Sequence, residues 1–144
     1  MEETHFYQVH VKWEKERIGI ASAPGLSSIQ VATPPEFPGG HPGIWSPEHL
    51  FVASVNSCYM TTFLAIAKNS KLEYSSFESS ANGKLEMLDG RYSITEIVLD
   101  AKIRIPNESD RAKALKIMEK SEKACLISNS IKTVVRLVMN VDIS

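Results

Sequence analysis

Cysteine is scarce in this sequence, with two in 144 residues, Cys58 and Cys125. They stand 67 positions apart, so there is no C-x-x-C, and neither a thioredoxin-type redox motif nor a zinc knuckle is supported. Histidine is almost as sparse. His5, His10, His41 and His49 show no metal-ligand spacing to either cysteine, and no metal site is expected. His49 precedes Cys58 by nine residues, which is roughly 13 Å along a straight helix. That is too far for the base of a cysteine hydrolase. Neither sign of charge is in excess: 16 basic and 17 acidic residues leave a net charge of −1, with no general attraction to nucleic acid or to acidic membranes. The first five residues hold no apolar run, so no secretory signal is read there. A cysteine-poor chain without an export signal suits a reducing compartment, and a cytoplasmic location is expected. A permanent structural disulfide is not expected there, whereas a transient redox pair is allowed. Internal repeats and low-complexity tracts are also missing, and no cofactor is expected.

What is present is enough apolar residue, 43%, for a real core. The length argues for a single domain spanning residues 1–144. Tyr7, Val9, Val11 and Trp13 alternate with polar residues, as a half-buried strand does. Two shorter strands follow, around Ile18 and Ile20 and over Ser28 to Ala32. Residues 33–43 carry four prolines and three glycines and cannot form regular structure. Ser46-Pro47-Glu48 reads as a helix start: a hydroxyl cap, proline at the first helical position and an acid in the first turn. The helix runs to about Asn69 and is apolar on nearly all sides. It predicts burial all round, which a chain of this length has trouble supplying, so a core-sharing homodimer is inferred. Ser54, Asn56, Ser57, Thr61 and Thr62 interrupt its apolar run, which favours a buried soluble helix over a membrane span. Phe77 to Met87 and Tyr92 to Ile105 flank an Asp89-Gly90 step that signals a hairpin. Asn107 or Ser109 is expected to cap a second helix with Ala112, Leu115 and Met118 on its apolar face, ending near Cys125. Val135 to Val141 alternate as a last strand. The order βββ-α-ββ-α-β defines an α+β domain.

Chemistry centres on the cysteines. A cysteine on an apolar helix is most often a small hydrophobe, and the same plain reading covers Cys125. The polar residues around Cys58 point the other way, because a core helix gains nothing from Asn and Ser that lack partners.

The stretch Ser46-Pro-Glu-His-Leu-Phe-Val-Ala-Ser-Val-Asn-Ser-Cys58, with Glu122-Lys-Ala-Cys125-Leu-Ile-Ser-Asn129, resembles the OsmC/Ohr family of peroxidases. The resemblance extends over most of the chain, including the element order and the Pro/Gly-rich loop before the long helix. It implies an OsmC-like fold, an intertwined homodimer, and reduction of organic hydroperoxides, in some members hydrogen peroxide, in oxidative stress defence. By position, Cys58 matches the peroxidatic cysteine and Cys125 the resolving one. Glu48 matches the acid of the Pro-Glu motif, and Arg17 the arginine that pairs with that acid and the thiolate. Leu126 stands where the best-known members have proline. An external dithiol, lipoyl-type or thioredoxin-like, is implied as reductant.

These residue types suit the reaction. The nucleophile is the thiolate, and apolar burial alone would keep Cys58 protonated. A cation such as Arg17 could counter that, held by paired hydrogen bonds from Glu48. Glu48 lies about 15 Å from Cys58 along a straight helix, so it must act from a bend or from another subunit. Phe37, Trp45 and Phe51 are candidates for an apolar substrate pocket, or ordinary core residues. Two rival classes stay open: a non-catalytic small-molecule binding protein on the same scaffold, and a sensor that passes its disulfide to a partner protein.

Overall fold

The computed structural model describes residues 3–144. The elements follow the expected order, with two short 3-10 turns added. The chain divides into two units, Met1–Phe51 and Val52–Ser144.

In the first unit, β1 (His10–Lys15), β2 (Ile18–Ser22) and β3 (Ile29–Ala32) form an antiparallel meander in that order. β1 begins later than the alternation from Tyr7 predicts, and its expected half-burial does not occur: every residue of the strand is exposed. Val11 is 63% exposed and Trp13 74%, and Phe6, Tyr7 and Val9 before the strand are still more open. Alternation prescribes an apolar face, but only a second layer buries it, and this unit lays none on β1. After a bulge between Trp13 and Lys15 the chain turns through Glu16, at φ 48°, where the Trp13 indole N–H donates to the Glu16 carbonyl at 2.9 Å.

Residues 33–46 are irregular, as their prolines and glycines require, yet pinned. The Thr33 N–H donates to the Arg17 carbonyl at 3.3 Å, the His41 N–H to that of Thr33 at 2.9 Å, and the Ala32 N–H to that of Trp45 at 2.9 Å. Gly40 is the tightest point. A Cβ there would fall 2.0 Å from the Pro34 carbonyl oxygen and 2.8 Å from the Pro35 Cα. Both are backbone atoms and cannot swing away. The Gly40→Ala variant is therefore expected to lose about 2–4 kcal/mol of stability, read as a lower urea midpoint at unchanged slope. A midpoint equal to wild type would mean that the loop is not packed in this way.

In the second unit, β4 (Ser76–Leu88) and β5 (Arg91–Ile105) form the expected hairpin. Asp89 and Gly90 both take positive φ, 49° and 79°, as a type I′ turn demands. β6 (Val134–Ile143) pairs with β5 in parallel, so β5 is central. Ile97, Leu99, Ala101, Ile103 and Ile105 of β5 are fully buried, while Asp100, Lys102 and Arg104 face outward.

Helix α1 (Pro47–Asn69) begins in the first unit and continues into the second. Within the single chain its burial is partial, as a chain of this length was expected to manage. Val55, Tyr59, Phe63 and Ala67 are buried, one stripe at four-residue spacing, whereas Met60 and Leu64 are exposed. A helix on one sheet face can hide one stripe, however apolar its other sides are. Within that stripe the Phe63 ring stacks on Phe77 at 4.9 Å and meets Tyr74 edge-on at 5.4 Å. The Tyr59 hydroxyl donates to the Met118 carbonyl at 3.1 Å, tying α1 to α2 (Arg111–Lys123).

The start and face of α2 also depart from expectation. A 3-10 turn, Glu108–Asp110, contains Ser109 and leads into the helix, and neither Asn107 nor Asp110 makes a side-chain cap. Instead Arg111 pairs with Glu108 and donates to the Val141 carbonyl at 2.8 Å. The buried face is Ala114, Ile117, Met118 and Ser121; of Ala112, Leu115 and Met118, only Met118 is fully inside. Which face is buried is set by the elements the helix packs on, β6 among them, where Arg111 bonds the Val141 carbonyl.

Candidate active site

Cys58 lies midway along α1 and is half-buried. The polar residues around it have separate partners. The Asn56 side chain donates to the Ser79 carbonyl at 3.1 Å and accepts from the Ser79 hydroxyl, which satisfies it against β4. The Ser57 hydroxyl donates to the Ala53 carbonyl and the Thr61 hydroxyl to that of Cys58, both along the helix. Thr62 alone among them reaches the sulfur, its Oγ1 lying 3.9 Å from Cys58 Sγ. Spacing of four residues puts these two side chains on one helix face.

Cys125 follows the end of α2 and is wholly buried. Its N–H donates to the Glu122 carbonyl at 3.2 Å, and its own carbonyl accepts the Asn129 N–H at 3.1 Å, closing a turn over residues 125–129. Both cysteines are free, and each thiol influences the ionisation of the other.

The two sulfurs differ electrostatically. Burial pushes the Cys58 thiol up, but the Ile127 N–H, the Cys125 thiol, the Thr62 hydroxyl and the Leu126 N–H together outweigh it, and the net displacement is downward. Burial also pushes Cys125 up. The Ser128 hydroxyl and amide oppose this, the hydrogen bond and charge of Cys58 reinforce it, and the net displacement is upward. Cys58 therefore ionises first, and it is also the sulfur that solvent reaches. Such an arrangement yields one accessible nucleophile backed by one sheltered thiol.

Arg17 and Glu48 belong to the first unit. Arg17 stands exposed at the β1–β2 turn with its side chain along Gly39, where an added Cβ would come within 3.2 Å of its Cγ. It lines a hollow of about 400 Å³ with Val11, Trp13, Val31 and Pro47. Glu48 lies in the first turn of α1, and its Oε1 is sealed from solvent with no hydrogen-bond partner among the described residues. Ser46 caps the helix as expected, accepting the His49 N–H at 3.1 Å, and its hydroxyl also bonds the His49 Nδ1 at 2.7 Å. Trp45 is 52% exposed and meets the His49 ring edge-on at 6.1 Å. It lines a second hollow of about 300 Å³ with Gly43, Ile44 and His49. Phe37 and Phe51 are half-buried.

Sequence reasoning did not single out Thr62, Leu126, Ile127 or Trp13 as site residues. For Thr62 the signal was available in its spacing from Cys58. For the two amides none was, because a backbone donor has no residue identity.

One half-buried cysteine on a long helix and one sealed cysteine in the turn after a second helix are the reactive side chains that the fold brings forward. The chain belongs to the OsmC family: the model of that family, described as OsmC-like protein, matches residues 40–140. Among individual proteins, it is 24% identical over 141 residues to the uncharacterised protein YmaD of Bacillus subtilis strain 168, covering 95% of this chain and 93% of that one. Among solved structures, it is similar to an OsmC-like protein of unknown function from Vibrio cholerae O1 biovar eltor, with TM-score 0.86, 24% identity, and 94% and 99% of the two chains covered. It is also similar to an organic hydroperoxide resistance protein OsmC from Legionella pneumophila, with TM-score 0.74, 23% identity, and 96% and 99% covered. These likenesses establish the OsmC-like α+β fold.

Proposed function

We propose that the protein is a thiol-dependent peroxidase that reduces organic hydroperoxides. What supports this reading is a pair of free thiols of opposite character that act on each other's ionisation, Cys58 half-buried and biased toward the anion, Cys125 buried and biased toward the thiol. The Cys58 thiolate attacks the outer oxygen of the hydroperoxide. The O–O bond breaks, the alkoxide takes up a proton and leaves as alcohol, and Cys58 becomes a sulfenic acid. Cys125 sulfur then attacks Cys58 sulfur, hydroxide leaves and takes the Cys125 proton as water, and a disulfide remains. An external dithiol of the lipoyl or thioredoxin-like kind returns two electrons and two protons.

Arg17 is proposed as the cation that steadies the anion and Glu48 as the group that orients it. What supports this is the Glu48 oxygen, buried without a donor among the described residues, since a carboxylate so placed calls for a cationic partner. Phe37, Trp45 and Phe51 are proposed to receive the organic tail. A homodimer is part of the same reading. The uncovered apolar run Phe6, Tyr7, Val9, Val11 and Trp13 is the kind of surface that a second copy buries. Cytoplasmic work in oxidative stress defence fits a thiol enzyme kept reduced.

The test follows the loss of cumene hydroperoxide and of hydrogen peroxide, with dithiothreitol or dihydrolipoamide as reductant. Wild type should turn over repeatedly and pass through a Cys58–Cys125 disulfide visible by mass. The Cys125→Ser variant should form the sulfenic acid once, then overoxidise with excess peroxide. A binding protein would leave peroxide and thiols untouched, and a sensor would form the disulfide but recycle poorly. Either result would replace the peroxidase reading.

A further inference from the structure

We propose that the Thr62 hydroxyl is a dedicated hydrogen-bond donor to the Cys58 sulfur in its anionic form, carried on the same helix as the nucleophile. This deepens the reading of Cys58 as the nucleophile and rests on it for its functional meaning.

Ser57, Thr61 and Thr62 put hydroxyls beside Cys58 on α1. A hydroxyl in mid-helix ordinarily turns back onto a carbonyl one turn earlier. Ser57 does so at the Ala53 carbonyl, and Thr61 at the Cys58 carbonyl at 3.1 Å. Thr62 instead sets its Oγ1 3.9 Å from the Cys58 Sγ. While Cys58 keeps its proton, either atom can donate. Once that proton is lost, the sulfur can only accept and the hydroxyl must donate. Ionisation thus turns a neutral contact into a charge-assisted one, which is shorter and about twice as strong. The downward displacement of the Cys58 thiol, to which the Thr62 hydroxyl contributes, agrees with this.

This part of α1 is tied to two neighbours. Asn56 bonds Ser79 of β4 through both ends of its amide, and the Tyr59 hydroxyl donates to the Met118 carbonyl of α2 at 3.1 Å. Phe63, directly after Thr62, stacks on Phe77 at 4.9 Å. A donor so fixed costs little reorganisation when charge appears on the sulfur. It also needs nothing from Arg17 or Glu48, which belong to the first unit.

The test needs no peroxide and so stands apart from the turnover assay. In the full-length chain, the rate of Cys58 alkylation by iodoacetamide is followed against pH, with the modified cysteine identified by mass. Thr62→Val keeps the side chain's shape and removes the hydroxyl. Thr62→Ser keeps the hydroxyl and removes the methyl. Thr62 is half-buried and both changes are small, so both variants should fold, which circular dichroism checks. The Thr62→Val midpoint should rise by about half a pH unit, roughly threefold in the ionisation constant. The Thr62→Ser midpoint should rise less or not at all. Midpoints are compared because altered access to the sulfur moves only the plateau rate. A Thr62→Val midpoint at the wild-type value, or an equal rise in Thr62→Ser, would overturn the proposal even in a protein that consumes peroxide. If Thr62→Val alone raises the midpoint in a protein without turnover, the donor stands and the peroxidase reading falls.

Discussion

The Cys58→Ser variant is expected to lose peroxide turnover by a factor of about 10³ or more, down to the rate of the reductant alone. The reason is chemical before it is structural. A serine hydroxyl stays protonated at any working pH, and oxygen is a poor nucleophile toward the O–O bond. The Thr62 hydroxyl is the side chain seen at the Cys58 sulfur, and among the described residues no carboxylate or imidazole is seen bonded there to activate an alcohol. The substitution removes one half-buried sulfur from a helix whose stripe of Val55, Tyr59, Phe63 and Ala67 is unchanged, so the fold should survive. The measurement is steady-state peroxide consumption beside far-ultraviolet circular dichroism. Substantial activity in a well-folded Cys58→Ser protein would move the chemistry elsewhere. The acid side of the profile carries a second sign. Because Cys58 is displaced downward, the reactive anion should persist below the pH at which an ordinary thiol protonates. Cys125, displaced upward, should be alkylated only at higher pH or after unfolding.

The Phe63→Ala variant should show the largest loss of stability, about 3–5 kcal/mol. Phe63 is fully buried, stacked on Phe77 and edge-on to Tyr74, at the centre of the contact between α1 and β4. Truncation removes both ring contacts and leaves a void that the flanking Tyr59 and Ala67, also fully buried, cannot fill without moving the helix. Urea unfolding at fixed protein concentration measures it, since any association would couple concentration to the midpoint. Phe63 stands five residues beyond Cys58 on the same helix and directly after Thr62. Loss of ring packing should therefore also loosen the Thr62–Cys58 contact and slow turnover in the protein that remains folded. A loss below about 1 kcal/mol, typical of a surface change, would mean that this aromatic cluster is not the core.

The proposed peroxidatic and resolving roles stand or fall on access and charge together. Cys125 has no exposure, so in the proposed reaction peroxide and added thiols should meet Cys58 first. A dithiol reductant is then expected to engage the Cys58 side of the disulfide. The exposed Leu126 beside the buried sulfur leaves the polypeptide, and not the thiol, on the surface.

Much of the architecture was written in local patterns. Alternation announced β6, the Asp89-Gly90 step the β4–β5 hairpin, and Ser46-Pro47-Glu48 the start of α1, because each depends on φ/ψ preferences and hydrogen bonds within a few residues. The motifs around Cys58 and Cys125 were enough to recognise the family. Burial was a different matter. The sequence showed that α1 is apolar all round and that β1 has an apolar face, but which of those surfaces meets a neighbour depends on layers supplied from far along the chain. Only the tertiary structure decided that the α1 stripe through Tyr59 and Phe63 is covered and that Trp13 is not. It also decided that two cysteines 67 residues apart influence each other's ionisation, one of them half-buried and the other sealed. A residue's type states what it can donate or hide, while the company it keeps is set by the path of the whole chain.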